Sequence, residues 1–275
     1  MQFFNTPSPI GIFDSGIGGL TVVKRVLSLL PNENIIYFGD TARVPYGSKS
    51  NATVIEYALQ DAHFLNNKNV KLIIVACNTA SAIALDSLKK EFSIPIIGMI
   101  NPGAKLALKE TKNGKIGVIG TSATITNKAY SKQLLELDPN VEVLEKACPL
   151  FVPVAEEGWL DHEATRIIAR EYLQDMIDFG VDTLILGCTH YPLLSQIIEE
   201  IMGDDVTLID SGYAASLEVE DYLNGRGDRN GSNQLGSQKF FVSDSPEKFK
   251  QLAERFLGSK VDHIEKIDVE SLIKK

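Results

Sequence analysis

The chain reads as an α/β protein of two similar lobes, each a mostly parallel sheet flanked by helices, with a cleft between them. Three observations predict this. Short apolar runs alternate with helical segments along nearly all 275 residues, the signature of βαβ units. Ten strand-like runs are many for one sheet and favour two. The halves also match: Ile10-Gly11-Ile12-Phe13-Asp14-Ser15 parallels Ile116-Gly117-Val118-Ile119-Gly120-Thr121-Ser122. After a similar gap, each half then reaches an apolar run ending in a cysteine, Cys77 and Cys188.

The elements follow in order. Strands are expected over Ile10–Phe13, Asn34–Phe38, Lys71–Ala76 and Pro95–Met99, with helices over Leu20–Leu30, Ala52–Asn66, Ser81–Phe92 and Gly103–Thr111 between and after them. The second half supplies strands Lys115–Gly120, Val141–Lys146, Thr183–Gly187 and Val206–Asp210, with helices Ser122–Leu137, Glu163–Phe179 and Leu193–Met202. Leu72 to Ala76 and Leu184 to Gly187 are short apolar runs bounded by polar residues, as in the buried strands of parallel sheets. Helices Ala214–Asn224 and Pro246–Leu257, strand Lys239–Ser243 and a final short strand His263–Ile267 close the chain. These last elements are too few for a separate domain and complete the first lobe. The expected lobes are therefore 1–100 plus 211–275, carrying Cys77, and 101–210, carrying Cys188. The loop-like segment 224–233 contains Arg226-Gly227-Asp228, read as a turn.

Composition excludes several classes. The formal net charge of -9 argues against nucleic acid or an anionic membrane as partner, because both are polyanions. No apolar stretch approaches the ~18–20 residues of a membrane span. Met1 to Pro7 lacks the basic region and long apolar core of a signal peptide. Three cysteines, an odd and sparse set, fit reduced thiols and a cytoplasmic location.

The two strand-end cysteines are the candidates for chemistry. Each is followed by small hydrogen-bonding residues, Asn78-Thr79 and Thr189-His190, at the entrance to a helix, where free N–H groups favour negative charge. A thiol there is expected to lean toward thiolate, the form that accepts a proton. Two thiols on opposite walls of a cleft suit removal of a proton from one face of a carbon and its return to the other. His190, two residues beyond Cys188, is placed to hold or protonate the second thiol. Cys148, followed by Pro149, has no such setting and reads as structural. Cys-x-His with one distant Cys matches no common zinc pattern, so no metal is expected.

The glycine run Asp14-Ser15-Gly16-Ile17-Gly18-Gly19, with Asp40 after the second strand, invites a dinucleotide reading. The spacing fails, because the third glycine would fall at Thr21. The run instead reads as a tight turn that leaves Asp14 and Ser15 facing the cleft. The segments Gly39 to Gly47, with Pro45 and Tyr46, and Phe151 to Trp159, with Glu156 and Glu157, look too irregular to be simple connectors.

At these residues the chain resembles the glutamate racemases, within the cofactor-independent aspartate/glutamate racemase superfamily. The matching motifs are Asp14-Ser15-Gly16, Pro45-Tyr46-Gly47, Ala76-Cys77-Asn78-Thr79-Ala80, Val152-Pro153 through Glu156, and Gly187-Cys188-Thr189-His190-Tyr191-Pro192. The resemblance implies interconversion of L- and D-glutamate without a cofactor, supplying D-glutamate for peptidoglycan. It implies Cys77 and Cys188 as the two bases, Asp14 assisting Cys77, and Glu156 with His190 assisting Cys188. Asp14, Ser15, Tyr46, Gly47, Asn78, Thr79, Thr189 and His190 are the implied substrate-binding residues, and a homodimer is compatible with it. Two other readings stay open on residues alone: a racemase of another amino acid such as aspartate, and a two-lobed protein that closes on an amino acid without turning it over.

Overall fold

The computed structural model describes residues 7–261, 263–269 and 272; the Met1–Thr6 stretch lies outside them. Among the described residues, ten strands form: β1 (Ile10–Asp14), β2 (Ile35–Gly39), β3 (Leu72–Val75), β4 (Ile96–Ile97), β5 (Lys115–Gly120), β6 (Glu142–Ala147), β7 (Thr183–Gly187), β8 (Thr207–Asp210), β9 (Gln238–Val242) and β10 (Ile264–Lys266). The helices are α1 (Leu20–Leu29), α2 (Asn51–Asn66), α3 (Asn78–Glu91), α4 (Ile100–Glu110), α5 (Ser122–Thr126), α6 (Ala129–Leu137), α7 (Phe151–Glu156), α8 (Glu163–Phe179), α9 (Ser195–Met202), α10 (Ser211–Arg226) and α11 (Pro246–Leu257). Tyr46–Ser48 and Tyr191–Leu194 are short 3-10 turns.

The strands form two sheets, ordered β10-β9-β2-β1-β3-β4 and β6-β5-β7-β8. Every pairing is parallel. Each sheet has the same centre, with β1 between β2 and β3 and β5 between β6 and β7. The order of connection therefore reverses between β1 and β3, and again between β5 and β7. Open parallel sheets leave a crevice past the strand ends at such a point. Ser15, Cys77, Thr121 and Cys188 follow those four strands.

Both faces of each sheet are buried, which explains why the central strands are apolar throughout. In the first lobe Ile10, Ile12, Leu72 and Ile74 pack with α1, α10 and α11, while Phe13, Ile73 and Val75 pack with α2 and α3. In the second, Ile119, Leu184 and Leu186 face α7, α8 and α9, while Ile116, Val118 and Ile185 face α4 and α6. Thus α4 covers the second sheet and α10 the first, and the two crossover helices pack on each other.

Several helices begin a turn earlier than the sequence suggests. Cys77 itself caps α3, accepting from the Ala80 N–H at 3.5 Å, and Asp210 caps α10 through Gly212 and Tyr213. Small polar first turns, Asn78-Thr79 and Ser211-Gly212, conceal these starts. The expected helix Ser122–Leu137 is two helices. Lys128 lies in the left-handed region at φ 50°, and the Asn127 amide folds back to the Ala123 carbonyl at 2.8 Å. Phe151–Glu156, read as irregular, is helical; Pro153 is tolerated because it lies in the first turn. Arg226-Gly227-Asp228 ends α10, with Gly227 at φ 68° and the Asp228 N–H bonded to the Leu223 carbonyl. No helix among the described residues is long and apolar enough to cross a membrane.

Candidate active site

The two reversal points face one cavity of about 230 Å³, below the ~300–1,000 Å³ of drug-sized sites. Ser15, Tyr46, Gly47, Cys77, Asn78 and Thr79 line it from the first lobe, and Thr121, Cys188, Thr189 and His190 from the second. Among the lining residues His190 alone can carry a positive charge. Anionic groups here would meet hydroxyls and the opening N–H groups of α3 and α5.

On the first-lobe wall, Cys77 Sγ lies 3.6 Å from Ser15 Oγ. The helix-entrance position was expected to favour the thiolate. The structure corrects this: burial, and then the charge of Asp14, push the thiol up to about 12, against the Ala80 N–H and the Ser15 hydroxyl. Desolvation outweighs one cap hydrogen bond. Asp14 does not line the cavity; it is buried behind Ser15. Its Oδ2 accepts from the Gly16 N–H at 3.1 Å, and its Oδ1 has no hydrogen-bond partner. Burial raises its pKa above the ordinary carboxylate value, opposed by His190 and by backbone N–H groups of the glycine turn.

On the opposite wall, His190 Nδ1 lies 3.9 Å from Cys188 Sγ and Nε2 lies 3.1 Å from Glu156 Oε1. Burial alone would lower the imidazole pKa, yet hydrogen bonds to Cys188 and Glu156 raise it to about 10. The same bond to His190 holds Glu156 below its usual value, against its burial. Glu156 reaches the site through His190 without lining the cavity, and Glu157 is exposed. Cys148 is buried beneath this wall, and its backbone carbonyl accepts from the Tyr191 hydroxyl at 2.9 Å.

The lobes are pinned around the cavity. Thr79 Oγ1 lies 2.8 Å from Thr121 Oγ1 and 3.2 Å from Thr124 Oγ1. The Asn78 amide donates to Ser211 Oγ at 3.2 Å and accepts from the Tyr130 hydroxyl at 2.7 Å, which leaves one amide hydrogen for a ligand. Thr21 Oγ1 donates toward the Thr189 carbonyl at 2.9 Å. A Cβ on Gly18 would sit 2.2 Å from Thr189 Oγ1 and 2.6 Å from His190. The glycine run therefore lets the first lobe press on the Cys188 loop, beyond its part in the turn.

Sequence reasoning missed Thr121, Thr124, Tyr130 and Ser211. The internal repeat held a signal for one of them, because Thr121 occupies the second-half position of Ser15. The same alignment sets Gly120 opposite Asp14, so the second lobe draws its carboxylate from Glu156 on α7.

A family model described as Asp/Glu/hydantoin racemase matches residues 18–219. The chain is 50% identical over 262 residues to the glutamate racemase of Geobacter metallireducens, covering 95% of this chain and 97% of that one. It is similar in structure to glutamate racemase isoform RacE1 of Bacillus anthracis, with TM-score 0.93, 40% identity and coverage of 96% and 99%. The Francisella tularensis glutamate racemase, solved in complex with D-glutamate, gives TM-score 0.91 and 43% identity over 97% of this chain and 100% of that one. With the motifs and the paired thiols, these matches place the chain in the Asp/Glu/hydantoin racemase family, among the glutamate racemases.

Proposed function

We propose that the chain interconverts L- and D-glutamate by two-base proton transfer without a cofactor, supplying D-glutamate for peptidoglycan. The observation that carries this reading is the approach of Cys77 and Cys188 to one small cavity from opposite lobes. A binding protein has no use for two thiols so placed. Glutamate is preferred to aspartate because the relatives matched over nearly their full length are glutamate racemases, one of them holding D-glutamate.

In one direction a Cys188 thiolate removes the α-hydrogen of L-glutamate, and the Cys77 thiol gives its hydrogen to the opposite face of the carbanion. The product is D-glutamate, with Cys188 now the thiol and Cys77 the thiolate. Reversal begins from that state. Asp14 serves as the proton partner of Cys77, its free Oδ1 being the acceptor. His190, protonated and held by Glu156, balances negative charge on Cys188. Ser15, Gly47, Thr79, Thr121 and Thr189 orient the substrate carboxylates, and Asn78 contributes its remaining amide hydrogen. The proposed lobes are 1–100 plus 211–275 and 101–210, the proposed location is the cytoplasm, and a homodimer is compatible with the reading.

A Cys77 thiol at about 12 makes the resting thiolate rare. Substrate entry must therefore change the balance. A substrate ammonium on the Cys77 side of the cavity adds positive charge that offsets the Asp14 charge raising Cys77, and developing negative charge on the substrate meets the N–H groups of α3 and α5. Positioned proton transfer contributes about 10²–10⁴-fold, so Cys77→Ser and Cys188→Ser should each lower kcat at least about a hundredfold while leaving the fold intact. Polarimetry from each glutamate enantiomer tests this. Near-normal turnover in either variant removes that cysteine from the mechanism.

A further inference from the structure

We propose that Asp61, on α2, is a positioning residue for the substrate site: as a neutral carboxylic acid it donates a hydrogen bond to the Tyr46 phenol oxygen and fixes the Tyr46–Ser48 turn that walls the cavity. This deepens the racemase reading and rests on it. No cavity-lining residue comes from α2, so the influence of Asp61 runs through Tyr46.

The argument is a count of protons. Tyr46 Oη lies 2.5 Å from Asp40 Oδ2 and 2.9 Å from Asp61 Oδ2. A phenol donates once, so one of these contacts must be a hydrogen bond that Tyr46 accepts. Its donor has to be a carboxyl group. Asp40 has the more donors: Arg43 Nε donates to it at 2.6 Å and Ser243 Oγ at 2.9 Å. Among the described residues, Asp61 accepts on its other oxygen from Arg43 Nη2 alone, at 3.0 Å. The proton therefore belongs to Asp61, and the chain runs from Asp61 to Tyr46 to Asp40. Both carboxyls are fully buried. One Arg43 guanidinium, lying over the Tyr57 ring at 4.1 Å, balances one carboxylate and not two. Burial, then the charge of Asp40, raises the Asp61 pKa well above the usual value, against the pull of Arg43.

The consequence falls on the cavity wall. Tyr46, Gly47 and Ser48 all line it, and Gly47 stands so close to Thr121 of the other lobe that a Cβ there would lie 3.0 Å from the threonine Cβ. A Tyr46 released from Asp61 shifts a wall that the substrate touches.

The test compares Asp61→Asn and Asp61→Leu in the full chain, by steady-state racemisation from both glutamate enantiomers. Asparagine can donate to Tyr46 and accept from Arg43, so it reproduces the neutral acid. Asp61→Asn is expected to keep KM and kcat within about threefold of the parent, and Asp61→Leu to raise KM about tenfold with a smaller fall in kcat. Tyr46→Phe should raise KM similarly, and Asp61→Leu combined with it should cost no more than either alone. Equal damage from Asn and Leu would overturn the proposal, as would an unchanged KM in the Leu variant. Should the Leu variant fail to fold, infrared difference spectra of parent minus Asp61→Asn decide. A carboxylic-acid carbonyl band at neutral pH supports the proposal, and its absence overturns it. That readout stands even if the parent proves not to racemise glutamate.

Discussion

His190 and Glu156 form a 3.1 Å ion pair whose imidazole turns its other nitrogen toward Cys188, 3.9 Å away. Glu156 belongs to α7 and His190 to the loop after β7, so two elements of the second lobe converge on one sulfur. The first lobe solves the same problem differently, with Asp14 and Cys77 both at strand ends beside the same turn. The two walls are chemically unlike, and their variants should be distinguishable.

Glu156→Gln removes the anion that holds His190 charged. The equilibrium constant of a racemisation is one, so kcat/KM must fall equally in both directions, by about tenfold or more for a charge-assisted hydrogen bond. Isotope effects carry the asymmetry. The Cys188 step becomes slower, so α-deuterated L-glutamate should show a larger effect than in the parent and α-deuterated D-glutamate a smaller one. Equal changes from both enantiomers would separate Glu156 from Cys188.

Stability should depend on pH through the same pair. The folded-state pKa of His190 is about 10 against an ordinary 6.5. A raised value of this kind stabilises the fold fully below about 6.5, and the contribution disappears as pH rises through about 10. The unfolding free energy from urea titration should therefore decline between those limits, by at most ~1.4 kcal/mol per pH unit. In His190→Gln the decline should be absent; an unchanged slope would place the titration elsewhere.

Gly18→Ala and Gly225→Ala form a contrasting pair. At Gly18 the new methyl strikes Thr189 and His190 across the lobe boundary, whereas at Gly225 it meets open space within α10. The first should cost about 1–3 kcal/mol and lower kcat at least tenfold. The second should be neutral or stabilise by up to ~1 kcal/mol. Denaturant titration and polarimetry read both.

Tyr130→Phe removes the hydroxyl that Asn78 accepts from, leaving a buried amide oxygen unpaired. A loss of about 1–3 kcal/mol in stability is expected, with a severalfold rise in KM because Asn78 lines the cavity. Unchanged KM would confine Tyr130 to packing.

Much of this architecture was legible in the residues. The ten strands among the described residues were readable, the central ones most plainly because parallel strands buried on both faces are apolar throughout, as in Leu72 to Val75. The cysteines were legible because each follows such a run. What escaped detection has a common physical cause. The first turns at Asn78 and Ser211 are small and polar because they face the cleft and the lobe boundary, so they lack the apolar spacing of a helix. Pro153 disguised α7. The thiol of Cys77 was expected to be acidified by its helix, but sequence alone gives no measure of the burial that reverses the shift. Asp61 lay within an ordinary amphipathic helix, and only its approach to Tyr46 and Arg43 sets it apart.

Racemisation in heavy water tests the two-sulfur account most directly. Starting from either glutamate enantiomer, product formed in the earliest turnovers should carry solvent deuterium at the α-carbon while the remaining substrate stays largely protonated. Product that keeps the original hydrogen would mean a single recycling base, and the assignment of Cys77 and Cys188 to opposite faces would fail.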